Sequence, residues 1–244
     1  MAENKVALIT GGSHRLGATT ARTLHASGMN IVVHYLSSRD AAQQLQEELH
    51  AERENSVVLV QADLLSEKAL PALVNEAHNA WGRLDVLINN ASTFFRTPVS
   101  NATLAQWDNL FGTNAKAPFF LSQAAAPLLK KTQGCIINMI DIHAERPLKE
   151  HTLYCMAKAS LALMTKSLAR ELGPEVRVNG VAPGAIMWPD DLDEVTKQRI
   201  VSRTFLKRKG EVEDIANTIL FLTNNAPYIT GQIISVCGGR SLHS

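Results

Sequence analysis

Cysteine is sparse in this chain, and its pattern suits neither a staple nor a metal. Cys135, Cys155 and Cys237 are widely spaced and odd in number. That excludes a disulfide framework or a CxxC metal site and leaves three reduced, buried thiols. An excess of one charge sign is also missing: 24 Lys and Arg stand against 23 Asp and Glu, and basic runs stop at pairs such as Lys130-Lys131. This balance gives no electrostatic footprint for nucleic acid or an anionic membrane, so neither partner is expected. No stretch of about 18 apolar residues occurs, and Met1-Ala2-Glu3-Asn4 leads straight into a strand-like run without a basic and apolar leader. A cytoplasmic location is the expectation. No pair of histidines has metal-ligand spacing, which argues against a metal centre.

What the chain does have is two alternating rhythms. Its 244 residues, 45% of them hydrophobic, suffice for one domain with a full core. Short apolar runs read as strands at Lys5 to Thr10, Asn30 to Tyr35, Ser56 to Gln61, Asp85 to Ile88, Gly134 to Ile140, Val176 to Val181 and Gln232 to Val236. Helix-period segments separate them, at Leu16 to Ser27, Ala41 to Glu52, Glu67 to Ala80, Ala115 to Lys131, Leu153 to Leu172 and Glu213 to Leu222. The alternation predicts an α/β fold, a parallel sheet with helices on both faces. No composition shift or repeat divides residues 1–244, so one domain is expected. The least regular stretch, Pro183 to Lys209, is interrupted by Pro189-Asp190-Asp191 and is a candidate substrate lid.

The first strand ends in Thr10-Gly11-Gly12-Ser13-His14-Arg15-Leu16-Gly17, and a helix follows at once. Backbone N–H groups and the positive end of a helix in such a turn face a diphosphate well. The G-x-G-x-x-G fingerprint is absent, so spacing alone also allows an ordinary strand-to-helix turn. NAD readers place an acid about 20 residues on, to hold the adenosine ribose. The second strand here ends His34-Tyr35-Leu36-Ser37-Ser38-Arg39, with no carboxylate before Asp40. Two hydroxyls and a guanidinium suit a 2′-phosphate that an acid would repel, so NADPH is expected as the cofactor. Ser37 and Ser38 are equally suited to cap the next helix, and the two roles are compatible.

Tyr154 and Lys158 are four residues apart, hence one turn apart on the same helix face. A phenol is a sluggish acid or base at neutral pH, and an adjacent cation lowers its pKa. Alone, the pair is also compatible with a packed tyrosine and a solvated lysine. Its context includes Asp63 after the third strand, Asn89-Asn90-Ala91-Ser92 after the fourth, Asn114 opening a long helix, and Pro183-Gly184 after the sixth.

With these motifs in this order, from Lys5 to Cys237-Gly238-Gly239, the chain resembles the short-chain dehydrogenase/reductase family over essentially its full length. The resemblance implies a Rossmann-type, doubly wound sheet of seven parallel strands. It also implies Tyr154 as proton donor, Lys158 on the nicotinamide ribose, and Asn114 behind a proton-relay water. Asp63 and Leu64 would lie near the adenine, and Asn90 with Ala91 would line the cofactor. Gly11, Leu16, Gly17, His34, Tyr35, Pro183 and Gly184 complete the implied cofactor set. Three departures are informative: Arg15 stands where most members have a third glycine, Ser92 where they have glycine, and Asp141 where they have a catalytic serine. All three, with Phe94 and His34-Tyr35, resemble the pteridine reductase branch of the family. Relatives are commonly tetrameric, so the resemblance implies a homotetramer. In that branch the chain end can approach a neighbour's site, which makes Arg240 a candidate.

The chemistry agrees with the departures. A serine hydroxyl suits a ketone, whereas reduction of a ring C=N bond needs a proton delivered to nitrogen, which Asp141 can relay through Tyr154. The Asp141 carboxylate also opposes the pull of Lys158 and favours protonated Tyr154. Phe94 offers an aromatic face for a flat pterin; Arg15 and Ser92 are placed to bridge cofactor phosphates and the pterin edge. Met187 and Trp188 are candidates to cover it, and ordinary core packing is the plain alternative for Phe94. The reading is NADPH-dependent reduction of a 7,8-dihydropterin to the tetrahydro level, with oxidised pterin or folate as further candidates. The alternatives are a ketone reductase acting on a 3-oxoacyl thioester, and a non-catalytic NADP(H) sensor that kept the fold.

Overall fold

A computed structural model describes residues 4–188 and 192–242. Seven parallel strands form one sheet in the order β3-β2-β1-β4-β5-β6-β7. They are β1 (Val6–Ile9), β2 (Asn30–Tyr35), β3 (Val57–Gln61), β4 (Val86–Asn89), β5 (Cys135–Met139), β6 (Arg177–Pro183) and β7 (Ile233–Val236). Strands β1, β2, β4 and β5 are buried at every position. Covered on both faces, they read as continuous apolar runs instead of alternating ones.

One buried cluster joins the sheet to α1 (Arg15–Ala26), α2 (Arg39–Glu52) and α8 (Val212–Asn224). Another joins its opposite face to α3 (Ala69–Asn79), α5 (Ala117–Thr132) and α6 (Thr152–Leu172). The doubly wound architecture expected from the sequence is therefore present as a single domain. The chain passes from β1 outward through β2 and β3, then crosses back to β4 on the other side of β1. A crevice opens at the carboxyl ends of strands flanking such a reversal.

One helix escaped the sequence reading. α4 (Leu104–Phe111) runs into a π-helical segment, Gly112–Lys116, and then into α5. Asn114 thus sits inside a helical run that begins at Leu104, and does not open one near Ala115. The start signal is Thr103-Leu-Ala-Gln106: the Thr103 hydroxyl accepts from the Gln106 N–H at 3.2 Å, and the Gln106 side chain accepts from the Thr103 N–H at 2.9 Å.

In the stretch 183–209, Ala185 and Ile186 are buried and Met187 packs against the core. A short helix, α7 (Glu194–Ser202), follows with no buried residue. Pro189, Asp190 and Asp191 lie outside the described residues. All three cysteines are free and buried.

Candidate active site

The turn after β1 is built around two close approaches. At Gly11, with φ +59°, an added Cβ would lie 3.1 Å from the Ala91 Cα. At Gly17 it would lie 2.2 Å from the Gly11 carbonyl oxygen, which no side chain can accommodate. The Asn90 amide donates to the carbonyls of Thr10 and Gly11 at 2.9 and 3.0 Å, tying the β4 loop to the turn. Arg15, where a third glycine is usual in the family, is itself left-handed at φ +50° and points its exposed side chain into the cleft.

His34 lines the cleft and also braces the turn. The Gly11 N–H donates to its Nδ1 at 3.1 Å, the Gly12 N–H donates to its backbone carbonyl at 2.9 Å, and its Nε2 lies 3.0 Å from the Ala62 carbonyl. A ring that accepts at Nδ1 and donates at Nε2 is neutral. Burial lowers its pKa, which keeps it so. His34 is a strut between the glycine turn and the loop carrying Asp63, and the amides of Gly11 and Gly12 are already engaged.

A cleft of about 500 Å³ runs from Ser37 and Ser38 past the turn to Ser92 and Phe94. Tyr35, Leu16, Asp63, Leu64 and Ala91 line it as well. Ser37 is exposed, and the Ser38 hydroxyl, at the N-cap of α2, makes no capping hydrogen bond. The capping role open to Ser38 is therefore not taken. Asp63 holds its own loop by accepting from the Leu65 N–H at 2.9 Å. The turn that excludes side chains at Gly11 and Gly17, the free hydroxyls beside β2, and the groove between them fit a dinucleotide phosphate. Pro183 ends β6, and the Gly184 N–H donates to the Val236 carbonyl at 3.0 Å.

Beside the cleft, the Tyr154 hydroxyl donates to Asp141 Oδ2 at 2.8 Å. The other Asp141 oxygen accepts from the His143 N–H at 2.8 Å, which fixes the carboxylate at the end of β5. Lys158, 2% exposed, donates to the Met139 carbonyl at 2.8 Å, and its Nζ lies 5.7 Å from the centre of the Tyr154 ring. Ser92 donates to Asn114 Oδ1 at 2.6 Å, and the Asn114 amide donates to the carbonyls of Leu110 and Thr93 at 2.9 and 3.0 Å. The single Ser92 proton is thus committed to Asn114, and only its lone pairs remain for a ligand. Phe94 meets the Tyr154 ring edge-on at 4.8 Å and stacks on His151 at 4.6 Å and 14°. Sequence reasoning left His151 unassigned; its place immediately before the helix that carries Tyr154 and Lys158 is the signal that was available.

The electrostatics favour the protonated phenol, the direction expected of Asp141. Burial raises its pKa far above the ordinary value, and the charge and hydrogen bond of Asp141 add to the effect. Lys158 is lowered to about 8 by burial, with Asp141 acting in the opposite direction. The phenol is held protonated, and the carboxylate beside it accepts its hydrogen bond. Arg240 opens a 3₁₀ turn, Arg240–Leu242, and its charge acts on Asp141 of its own chain.

Residues 12–241 match a family model described as enoyl-(acyl carrier protein) reductase. Among curated proteins, the chain is 36% identical to pteridine reductase 1 of Leishmania tarentolae, covering 97% of this chain and 96% of that one. It is 35% identical to a 3-oxoacyl-(acyl-carrier-protein) reductase of Staphylococcus aureus, over 98% and 99% of the two chains. A dehydrogenase subunit of Thauera aromatica acting on a hydroxy(phenyl)methylsuccinyl-CoA is also 35% identical over 98% of each. Motif order, sheet topology and full-length similarity agree: this chain is an oxidoreductase that belongs to the short-chain dehydrogenase/reductase family.

Proposed function

We propose that the chain is an NADPH-dependent pterin reductase, carrying a 7,8-dihydropterin to the tetrahydro level and acting in the cytoplasm. The observation that carries this reading is the 2.8 Å hydrogen bond from the Tyr154 hydroxyl to Asp141, where a ketone reductase would place a serine. Bound NADPH would supply hydride to the carbon of the C=N bond. The chain's own task is then to deliver one proton to the adjacent nitrogen.

Burial and the neighbouring carboxylate both disfavour ionisation of Tyr154, so the phenol holds the proton to be delivered. Asp141 accepts the phenolic hydrogen bond and can pass a proton onward from solvent as Tyr154 discharges. For the dihydropterin the proton goes to N5, and a water between Tyr154 and N5 would bridge the remaining gap. Lys158 would hold the nicotinamide ribose hydroxyls with its buried cation, and Asn114 anchors Ser92 beside Tyr154. Phe94, backed by His151, presents a ring surface on which a pterin would stack against nicotinamide. Arg15 and the lone pairs of Ser92 would meet the polar edge of the pterin and the cofactor phosphates. Ser37, Ser38 and Arg39 would hold the 2′-phosphate, and Met187, at the margin of the cleft, would cover the substrate.

A homotetramer is part of the proposal. Phe119 and Phe120 on α5 are each 40% exposed, and Leu163 on α6 is 70% exposed, on helices that a partner would cover.

The test is NADPH oxidation by purified protein with a dihydropterin, dihydrofolate and a 3-oxoacyl thioester in parallel, NADH as the alternative cofactor, and Asp141→Ser as a second enzyme. Pterin turnover that requires NADPH and collapses in Asp141→Ser is expected. Reduction of the thioester with inert pterins, unchanged or improved in Asp141→Ser, would make the chain a ketone reductase.

A further inference from the structure

Two guanidinium groups close to Asp141 are used neither by the fold nor by the reading above. Arg203 caps the C-terminus of α7, and Arg240 opens the 3₁₀ turn that follows β7. Neither side chain has a hydrogen bond or an ion pair among the described residues.

The turn after β7 brings them together. The Gly238 carbonyl accepts from the N–H groups of Phe205 and Leu206 at 2.8 and 3.2 Å, so the two segments are locked two residues from each arginine. Gly238 and Gly239 are left-handed at φ +59° and +79°, and a Cβ added to Gly239 would lie 2.8 Å from the Phe205 ring. Cys237 packs with Ile140 and Ile142, the residues on either side of Asp141, which seats the turn against the end of β5. The Arg240 N–H donates to the Cys237 carbonyl at 3.1 Å. Arg240 is partly buried, and burial lowers its pKa; the charge of Arg203 acts in the same direction and that of Asp141 in the opposite one.

Asp141 does not satisfy this pair. Its two oxygens are engaged by the Tyr154 hydroxyl and the His143 N–H, and it forms an ion pair with neither arginine. Two like charges held near one another, one of them partly desolvated, cost free energy that an anion between them would offset. A guanidinium fork matches the oxygens of a phosphate or carboxylate two at a time. That anion is not a cofactor phosphate. The cleft from Ser37 and Ser38 to Phe94 is lined by neither arginine, and β7 is at the opposite edge of the sheet from β3 and its neighbour β2. The anion belongs to whatever lies over Asp141 and Tyr154, which is the substrate.

We propose that Arg203 and Arg240 hold an anionic group, a phosphate or a carboxylate, on the side chain of the substrate, so that the chain selects pterins with an anionic tail. The inference rests on the reading that dihydropterins are reduced and adds which side chain is preferred.

The experiment measures kcat and KM with NADPH for 7,8-dihydroneopterin, whose tail is uncharged, for its 3′-phosphate, and for dihydrofolate, whose tail ends in carboxylates. The proteins are wild type, Arg240→Gln, Arg240→Lys and Arg203→Gln. The quantity read is kcat/KM for each anionic substrate divided by that for dihydroneopterin. Wild type should favour at least one anionic substrate by about tenfold, through KM, and the preference should shrink as salt is added. The substrate that shows it identifies the anion as phosphate or carboxylate. Arg240→Gln should bring the ratio to about one, with Arg240→Lys keeping part of it. Arg203 is exposed, so Arg203→Gln, which should also lower the ratio, serves if Arg240→Gln folds poorly. A wild-type ratio near one would overturn the inference and leave the pterin reading in place. So would an Arg240→Gln variant that loses charged and uncharged substrates in equal proportion, which would make Arg240 a counter-charge to Asp141 alone. A wild type that reduces none of the three would overturn the pterin reading and this inference with it.

Discussion

Arg15 holds a left-handed backbone at φ +50°, in a turn where the family mostly uses glycine. A non-glycine residue in that region costs on the order of 1 kcal/mol, and such strain is retained where a side chain has a task. Arg15→Gly should therefore raise the melting temperature by about 2–4 °C, measured by calorimetry, while weakening substrate. A variant that melts lower and reduces pterin normally would show that the strain argument is wrong. Tyr154→Phe removes the proposed donor and leaves the ring against Phe94. Turnover should fall by at least about a hundredfold with NADPH affinity within about twofold of wild type, by single-turnover kinetics and titration. Equal losses in both would point to a binding role for the hydroxyl.

The same scale holds a pH-dependent part. His34 must be neutral to accept from Gly11, and its pKa is lowered by burial, so the unfolded chain binds the extra proton first. Stability linked to His34 is present above about 6.5 and is lost as pH falls below it. His34→Asn keeps an acceptor near Nδ1 and does not titrate, so its stability should fall less than that of wild type between pH 6.5 and 5 in urea melts. Parallel curves would remove His34 as the cause.

At the scale of elements, α4 is the piece that assembles the cleft from the far side. It supplies Asn109 and Leu110, and its continuation supplies Asn114, whose amide is held by Leu110 and Thr93. The widened π turn at Gly112–Lys116 lets α4 and α5 share one run while Asn114 faces inward. The Thr103 and Gln106 capping box fixes where this run begins. Thr103→Ala should cost about 1 kcal/mol in chemical denaturation and raise the Michaelis constant for NADPH more than it changes kcat. An unchanged denaturation midpoint would mean that packing alone holds the helix.

For the whole molecule, a buried lysine contributes to the pH dependence on the alkaline side. With Lys158 lowered to about 8 in the fold against an ordinary 10.5, the unfolded chain binds more protons between those values. This group's contribution to stability therefore rises with pH across that window. The stability difference between Lys158→Met and wild type should shift in favour of wild type from pH 8 to 10, and a constant difference would contradict the burial argument. The exposed apolar residues of α5 and α6 belong to this scale as well, and light scattering at micromolar concentration should return four times the 26.6 kDa chain mass.

The sequence by itself determined the sheet, because strands buried on both faces must be continuously apolar and helices covering them must carry a 3.6-residue stripe. It also determined Tyr154 and Lys158 as neighbours, since four residues is one helical turn, and marked Arg15, Ser92 and Asp141 as departures by motif position. Only the tertiary structure decided which groups meet across long gaps in the chain. Tyr154 donates to Asp141, His34 bonds Gly11 and Ala62 of the backbone, Ser92 is committed to Asn114, and Phe94 lies on His151. The charge balance was decided there too. Spacing showed a cation near a phenol, but how far each is buried, and which partner each hydrogen bond reaches, depends on packing between elements that no local pattern encodes.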